Sequence, residues 1–248
     1  MCDEREFFTL EKNDGILMLA MNAPNNNLMT DDFFSGYEYI MSEVASAAEE
    51  SSIKGMVIHS GGRHFSVGAD VNALSERSSA ELTKMENEND IPKEHFKQKN
   101  CFTFLNELPF PVVSAVNGFC IGSGSEIAVN SHYRICEKNS RIGQPESTFG
   151  ILPALGGIAR TIEVCGLQNA FRMIFSGELL SAEESYQIGW ADEITEKKKS
   201  VGRALELIQF INRYDKHFNK NKTHEYLEHF QAVGGLSLIH ISEPTRRS

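Results

Sequence analysis

Long apolar runs are missing from this chain of 248 residues: no stretch reaches about 18 consecutive apolar residues, the length that a transmembrane helix needs. The first 30 residues carry charges where a secretory leader needs an apolar core. The sequence therefore predicts neither membrane spanning nor export. With 41% hydrophobic and 23% charged residues, the composition excludes collagen, coiled coil and low-complexity linker. A chain of this length can bury roughly 70% or more of its unfolded surface, which predicts one large domain, alone or with an appendage.

Closely spaced cysteines are missing as well. The chain has five cysteines, an odd number, and no two of them lie within four residues of each other: Cys2, Cys101, Cys120, Cys136 and Cys165. Such spacing fits neither a zinc site nor a disulfide framework. It predicts reduced, mostly buried thiols and a cytoplasmic location.

Positive charge is scarce. The 24 Lys and Arg residues are outnumbered by 34 Asp and Glu residues, which gives a formal net charge of −10. An acidic protein does not attract the phosphate backbone of nucleic acid or anionic lipid. The charge therefore argues against both kinds of partner.

One segment departs from this acidity. Residues 197–222 contain eight Lys or Arg residues and two acidic ones, a local charge of +6. The pattern predicts a helical appendage with a basic side. Three interpretations of this basic side stay open: an ordinary solvated face, a subunit contact, or a site for a phosphorylated ligand.

Apolar periodicity predicts strands and helices in alternation. A buried strand at 15–21, an amphipathic helix at 30–47 and a second strand at 55–59 form a first unit. A polar stretch at 76–90 and a helix near 93–107 precede the apolar strand at 112–116. The alternation predicts an α/β fold.

The rest of the α/β part follows the same pattern. After the strand at 112–116 comes a loop at 117–124 and a helix that begins near Ser125. Further elements are predicted beyond it: strands at 133–136, 141–143 and 190–194, and helices at 158–165, 168–175 and 182–188.

Three segments place polar or glycine residues at strand ends, where α/β proteins build their sites. They are Phe65–Asp70, Asn117–Glu126 and Gly143–Pro153. The glycines of the second segment precede a helix, whose free N–H groups favour an oxyanion. Glu126 and Glu146 are candidate functional acids. Without a functional role, Glu126 would simply be a favourable residue in the first turn of a helix, and Glu146 an exposed acid in a loop.

Other functions fit these residues less well. A dinucleotide fingerprint would need a third glycine where Ile127 stands. A serine hydrolase would need Ser123 in a Gly-x-Ser-x-Gly turn, with His64 or His132 as its partner. The histidines pair at ligand spacing only in the weak His224-x4-His229 pattern, so no metal site is predicted.

Taken together, the three segments resemble the crotonase (enoyl-CoA hydratase/isomerase) family. Its patterns run close to Phe-Ser-x-Gly-Ala-Asp, then Pro-x-Val-x-Ala-Val-Asn-Gly-x-x-x-Gly-Gly-Gly-x-Glu, then Gly-Gln-Pro-Glu-x-x-x-Gly-x-x-Pro-x-x-Gly-Gly. This chain has them in that order at 65–70, 111–126 and 143–157, with Ser123 in place of the middle glycine.

The resemblance implies a spiral of repeated ββα units and a helical C-terminal region used for trimer formation, often in a hexamer of two trimers. On this basis residues 1–196 would form the α/β core and residues 197–236 a shortened helical region. Residues 237–248 are expected to be a non-native tail. The implied ligand is an acyl-CoA thioester, with no further cofactor and no metal.

The resemblance also implies roles for single residues. The backbone N–H groups of Ala69 and Ser123 would form an oxyanion hole for the thioester carbonyl. Glu126 would activate water, and Glu146 would act as the acid. Further contacts to the substrate are implied for four residues: Ser66, Gly68, Asp70 and Gly122.

Within the family that the chain resembles, hydratases keep two glutamates, so the resemblance favours an enzyme that adds water syn across the α,β double bond of an acyl-CoA. Two alternatives stay open. One is an isomerase, or a hydratase or dehydratase that acts on a cyclic or aromatic acyl-CoA. The other is a non-catalytic acyl-CoA-binding subunit.

Overall fold

A six-stranded sheet forms the main layer of the computed structural model, which describes residues 7–70 and 102–233. Its first two strands are antiparallel, and each later strand is parallel to its neighbour. In spatial order the strands are β1 (Phe8–Asn13), β2 (Ile16–Met21), β4 (Gly55–Ser60), β6 (Val112–Val116), β8 (Tyr133–Glu137) and β11 (Glu193–Thr195).

Two small sheets lie beyond the main one. The pair β3 (Leu28–Met29) and β5 (Gly68–Ala69) is parallel. The other sheet has the order β10-β9-β7, with β7 (Phe119–Ile121), β9 (Arg141–Gly143) and β10 (Leu180–Ser181). A bridge between Ser66 and Cys120 joins the segment before β5 to β7. The small sheets bring the three motif segments together.

Seven α-helices of six or more residues lie in the part of the chain that the structure describes, besides a four-residue helical turn at Pro24–Asn27. They are α1 (Asp31–Ala48), α2 (Ser123–Asn130), α3 (Gly157–Cys165), α4 (Leu167–Ser176), α5 (Ala182–Gln187), α6 (Ser200–Tyr214) and α7 (Thr223–Val233). None of these described helices is long and apolar enough to cross a bilayer.

The main sheet is buried on both faces. Along β4, Met56 and Ile58 belong to the larger apolar cluster, which contains α1, while Val57 belongs to a second cluster. That second cluster contains Leu207 of α6 and Phe230 of α7. Because side chains of a strand alternate between faces, a strand with apolar residues at every position needs cover on both sides. The C-terminal helices supply one of these covers.

Several predicted elements differ from the structure. Strand β1 was not predicted, because its exposed residues hide the apolar alternation. The predicted loop at 117–124 contains β7, and α2 begins at Ser123 rather than Ser125. The last strand lies at Glu193–Thr195 rather than 190–194, since Trp190 packs its buried ring in a turn before the strand.

Some predictions fall where the structure gives no description. The polar stretch at 76–90 and the tail at 237–248 lie outside the described residues. Of the helix predicted near 93–107, only residues 102–107 are described: Phe102 and Thr103 are helical, and Phe104–Glu107 form a 3-10 turn. The division of the chain at residue 196 stays a prediction.

The basic segment at 197–222 is helical in part, as predicted, and part of its charge is neutralised within the protein. Arg203 of α6 donates to Glu193 and Glu206. Lys220 donates to Glu107 at 2.7 Å. Lys197 and Lys198, which precede α6, are not among these pairs and line a cleft instead.

Candidate functional site

The start of helix α2 depends on two glycines. Gly122 has φ 55° and ψ −132°, a conformation that a residue with a Cβ rarely adopts. A Cβ on Gly124 would lie 2.6 Å from Cβ of Ser66. Ser123 between them is the first residue of the helix and does not have a positive φ. A serine therefore fits in the middle of the glycine run, and its N–H lies at the helix N-terminus.

Strand β5 lies against this turn. A Cβ on Gly68 would approach the carbonyl oxygen of Ile121 to 2.9 Å, so the two backbones are in close contact. On its other side β5 pairs with β3, where the N–H of Asp70 donates to the carbonyl of Met29. Because successive N–H groups of an extended segment point to opposite sides, that of Ala69 points away from β3. The fold thus brings Ala69 and the start of α2 to adjoining backbone segments.

Glu126 is buried in the first turn of α2, with 1% of its surface exposed. Its Oε1 accepts hydrogen bonds from the N–H groups of Leu155 at 2.7 Å and Gly157 at 3.0 Å. A Cβ on Gly157 would come within 2.6 Å of that oxygen, so only glycine permits this approach. Burial, and then the charge of Glu146, raise the pKa of Glu126 to about 7, against the effect of both hydrogen bonds.

Glu146 lies in a 3-10 turn, Pro145–Phe149, that packs against the end of α4. Its Oε1 is 3.6 Å from the position that a Cβ on Gly122 would occupy. Its Oε2 is buried and has no hydrogen-bond partner among the described residues. Burial raises the pKa of Glu146 to about 7. The side chain is therefore not the ordinary exposed acid that its loop position would suggest.

The surroundings of the two glutamates differ in a way that suits opposite roles. Two N–H donors on Glu126 favour its carboxylate form, as a general base requires. Glu146 has a buried oxygen without a donor, which favours the protonated form of a general acid. Like charges that are close together resist ionising at the same time, so the pair shares protons at neutral pH.

The raised pKa values predict that stability falls with rising pH. A carboxyl whose pKa is higher in the folded than in the unfolded state holds its proton more tightly when folded. The free energy of unfolding should therefore fall from about pH 4.5, the unfolded value, to about pH 7 and level off above it.

Urea unfolding across this range measures the effect. Glu126→Gln should flatten the fall, because its amide carries no charge and its oxygen can still accept both N–H bonds. The matched variant Glu43→Gln changes an exposed glutamate of α1 and should keep the wild-type slope. An identical fall in wild type and Glu126→Gln would contradict the assignment.

Ser66, expected to contact substrate, holds the backbone in place. Its hydroxyl donates to the carbonyl of Asn27 at 2.8 Å and accepts from the N–H of Gly68 at 3.0 Å. Gly68 and Gly122 make the close backbone approaches described above, and Asp70 follows β5 directly. Contacts of these four residues with substrate stay a prediction.

Asn27 is a positioning residue that lies outside the three motif segments. It follows two other asparagines, and all three have positive φ values. Its buried side chain donates to Ser60 Oγ and to the carbonyl of Phe65, both at 2.9 Å. Asn27 therefore holds the chain just before β5. The only sequence signal was the Asn-Asn-Asn run, which tolerates left-handed backbone.

We expect Asn27→Ala to remove both side-chain bonds and to cost about 1–3 kcal/mol of stability. Because β5 loses its support, kcat should fall more than KM changes. Thermal unfolding and steady-state kinetics measure the two effects, with Asn22→Ala as a control on an exposed asparagine. Unchanged kcat in a folded Asn27→Ala variant would contradict the positioning role.

Neither histidine considered for a serine hydrolase has its Nδ1 free. Nδ1 of His64 accepts from the N–H of Phe119, and Nδ1 of His132 accepts from that of Val112. Within the described residues, no hydrogen bond joins either ring to Ser123. The geometry gives this alternative no support.

Comparison with known proteins identifies relatives across most of the chain. The sequence model of the family described as enoyl-CoA hydratase/isomerase matches residues 11–231. The short-chain-enoyl-CoA hydratase of Clostridium acetobutylicum is 29% identical over 203 residues, which cover 82% of this chain and 74% of that protein.

A second relative is much longer than this chain. The fatty acid oxidation complex subunit alpha of Shewanella frigidimarina is 29% identical over 233 residues, 92% of this chain. The matched part is 31% of that protein, so the chain spans about a third of its length.

A solved structure has the same fold. The enoyl-CoA hydratase from Bacillus anthracis superposes with a TM-score of 0.69 at 19% identity, covering 94% of this chain and 85% of that one. The expected crotonase-like α/β fold with a helical C-terminal region is therefore confirmed.

Proposed function

Because the chain belongs to the enoyl-CoA hydratase/isomerase family, we propose that it adds water syn across the α,β double bond of an acyl-CoA thioester. The observation that carries this proposal is the pair of glutamates beside the start of α2. Glu126 and Glu146 are held on separate segments, and burial raises the pKa of each to about 7. Two carboxyl groups poised in this way can hold one water molecule and exchange protons with it.

The proposed oxyanion hole consists of the N–H groups of Ala69 and Ser123. As the water oxygen bonds to the β-carbon, the thioester oxygen gains the negative charge of an enolate. Two donors fixed by β5 and α2 stabilise this charge without reorganising, and one such donor is worth about 3–4 kcal/mol in other enzymes. The helix N-terminus adds to the same effect.

The glutamates carry the protons in this proposal. Glu126 accepts a proton from water while the water oxygen bonds to the β-carbon and the double-bond electrons move toward the carbonyl. Glu146 then donates its proton to the α-carbon, which gives the 3-hydroxyacyl thioester. Afterwards the proton on Glu126 replaces the one that Glu146 lost. The balance needs no metal and no cofactor beyond the CoA of the substrate.

Crotonyl-CoA and a 3-enoyl-CoA test the proposal in parallel. A hydratase removes the absorbance of the conjugated thioester and forms 3-hydroxybutyryl-CoA. Faster conversion of the 3-enoyl-CoA into its conjugated isomer, without hydration, would make the protein an isomerase. Tight binding of acyl-CoA without turnover, whatever the chain length of the acyl group and whether or not it bears a ring, would make the protein a non-catalytic binder. Either of these results contradicts the proposal.

The proposal includes a homotrimer, alone or paired into a hexamer, and a cytoplasmic location. An apolar face on α4 supports the assembly: Leu167, Phe171 and Phe175 lie four residues apart and are all exposed. The rings of Phe171 and Phe175 contact each other, with centroids 5.1 Å apart. Exposed apolar surface of this kind marks protein contacts.

We expect Phe171→Glu to break the assembly, because it places a charge in the centre of the apolar face. Light scattering or sedimentation should then show smaller particles than for the wild type. Tyr39→Glu is the matched control, since the Tyr39 ring is similarly exposed (44% against 50%) but lies on α1. Equal masses for wild type and Phe171→Glu would contradict this use of α4.

A further inference from the structure

A basic cleft of about 590 Å³ lies outside the site described above. It gathers residues from segments that are distant in the sequence. Six of the residues that line it are Arg63, His64, Asn117, Arg141, Lys197 and Lys198. Its volume matches that of ordinary small-molecule sites.

The cleft and the glutamates lie at opposite ends of two paired strands. Phe119 pairs with Arg141 at the cleft end of β7 and β9, whereas Ile121 pairs with Gly143 at the end next to Gly122. At about 3.3 Å per residue, the path from Gly118 to Gly122 is roughly 13 Å long. The cleft is thus separated from the oxyanion donors by the length of the small sheet.

The charge of the cleft is positive although the whole chain is acidic. Arg63, Lys197 and Lys198 form no salt bridge with another residue in the described part of the chain. The cleft also contains one buried carboxylate, Glu137. Its Oε1 already accepts hydrogen bonds from the N–H of Lys198 and the hydroxyl of Ser200. With Arg141, four cationic side chains line the cleft together with this one carboxylate. The carboxylate already accepts two hydrogen bonds within the protein.

His64 adds a neutral donor to the same wall. Its Nδ1 accepts from the N–H of Phe119 at 3.0 Å, so the proton of the neutral ring is on Nε2. Burial, and then the charge of Arg63, lower the pKa of His64, which keeps the ring neutral at pH 7. Gly118 is required here, because a Cβ on it would lie 2.4 Å from Nδ1. The turn between β6 and β7 thus fixes the ring that lines the cleft.

We propose that this cleft is a second ligand site, which binds a small molecule bearing two or more phosphate groups, of nucleotide size. Guanidinium and ammonium groups from three separate segments can bind several phosphate oxygens at the same time. The half-buried ring of Phe119, which packs on His64 with centroids 4.7 Å apart, offers a face for a base. In this proposal the ligand is a molecule other than the acyl-CoA of the catalytic site.

Calorimetry with inorganic pyrophosphate and with ADP tests the proposal on the whole chain. We expect saturable binding of both to the wild type and to Glu126→Gln, which separates this site from the proposed catalysis. Arg63→Gln combined with Lys197→Gln should raise Kd by about tenfold or more. The control, Lys216→Gln combined with Lys222→Gln, removes two exposed lysines outside the cleft and should stay within about twofold.

Three results would overturn the proposal. The first is the absence of saturable binding of both probes to the wild type. The second is equal weakening in the cleft variant and the control, which would reduce the effect to net charge. The third is displacement of ADP by crotonyl-CoA in direct competition, which would assign the cleft to the substrate's own nucleotide. If the double variant does not fold, the single variant Lys197→Glu replaces it, and its Kd for both probes should rise in the same way.

Discussion

Glu126→Gln should lower kcat for hydration of crotonyl-CoA by about 10³-fold. The amide can keep both hydrogen bonds from Leu155 and Gly157, so the site should keep its shape. It cannot accept a proton from water, and therefore the attack on the β-carbon loses its base. KM should change little, because the carboxylate acts on water rather than on the bound thioester.

Glu146→Gln should cause a loss of similar size for a different reason, since an amide cannot deliver a proton to the α-carbon. The double variant should cost about as much as the worse single one, because the two groups act as a unit. Glu43→Gln, on the exposed face of α1, should retain wild-type kcat. Full activity in both site variants would contradict the two-carboxylate mechanism.

Removal of the Glu146 charge should also change how Glu126 titrates. The carboxylate of Glu146 is the second cause of the raised pKa of Glu126, after burial. In Glu146→Gln the pKa of Glu126 should fall from about 7, and the residual pH–rate profile should move to lower pH.

Ser123→Pro should lower kcat/KM by about 10²–10³-fold, because it deletes one of the two proposed oxyanion donors. Proline is suited to this position: Ser123 is the first residue of α2, where proline is favoured in helices. The helix should therefore form, and the loss should come from the missing N–H. Circular dichroism and thermal unfolding check the fold, and steady-state kinetics measure the effect.

Ser123→Ala is the matched control, since it removes the hydroxyl and keeps the N–H. Its kcat/KM should stay within about threefold of the wild type, as expected of a side chain without a role in the chemistry. A large loss in Ser123→Ala, or none in a folded Ser123→Pro, would contradict the oxyanion role of this backbone.

Parts of the site could be predicted from the sequence because its signals are local. Gly122 and Gly124 precede an apolar helix, and this spacing predicted an anion-binding turn where the structure has the N-terminus of α2. The strands β2, β4 and β6 could be predicted as well, since they are apolar at nearly every position. Such runs are typical of parallel strands buried on both faces.

Other parts depend on contacts between distant residues, and no local pattern indicates which residues meet. The hydrogen bonds from Leu155 and Gly157 to Glu126 span about thirty residues. Asn27 supports the strand before Ala69 from a separate turn. Periodicity carries no information about which loops meet, so neither contact could be derived from the pattern.

The basic cleft shows the same limit for charge. The composition of the segment at 197–222 shows that it is basic. Which of its charges are neutralised depends on the partners that the fold brings to them. Arg203 and Lys220 are paired with glutamates, whereas Lys197 and Lys198 join Arg63 in the cleft. Net charge alone would have argued against any phosphate-bearing ligand.

Isotope incorporation during turnover of crotonyl-CoA tests the central claim most directly. In water labelled with ¹⁸O and deuterium, the two-glutamate hydration should give 3-hydroxybutyryl-CoA with one ¹⁸O on the β-carbon and one deuterium on the α-carbon. Glu126→Gln and Glu146→Gln should each slow the formation of this product by about 10³-fold at wild-type enzyme concentration. Deuterium uptake without ¹⁸O, or label incorporation that both variants retain, would contradict the account.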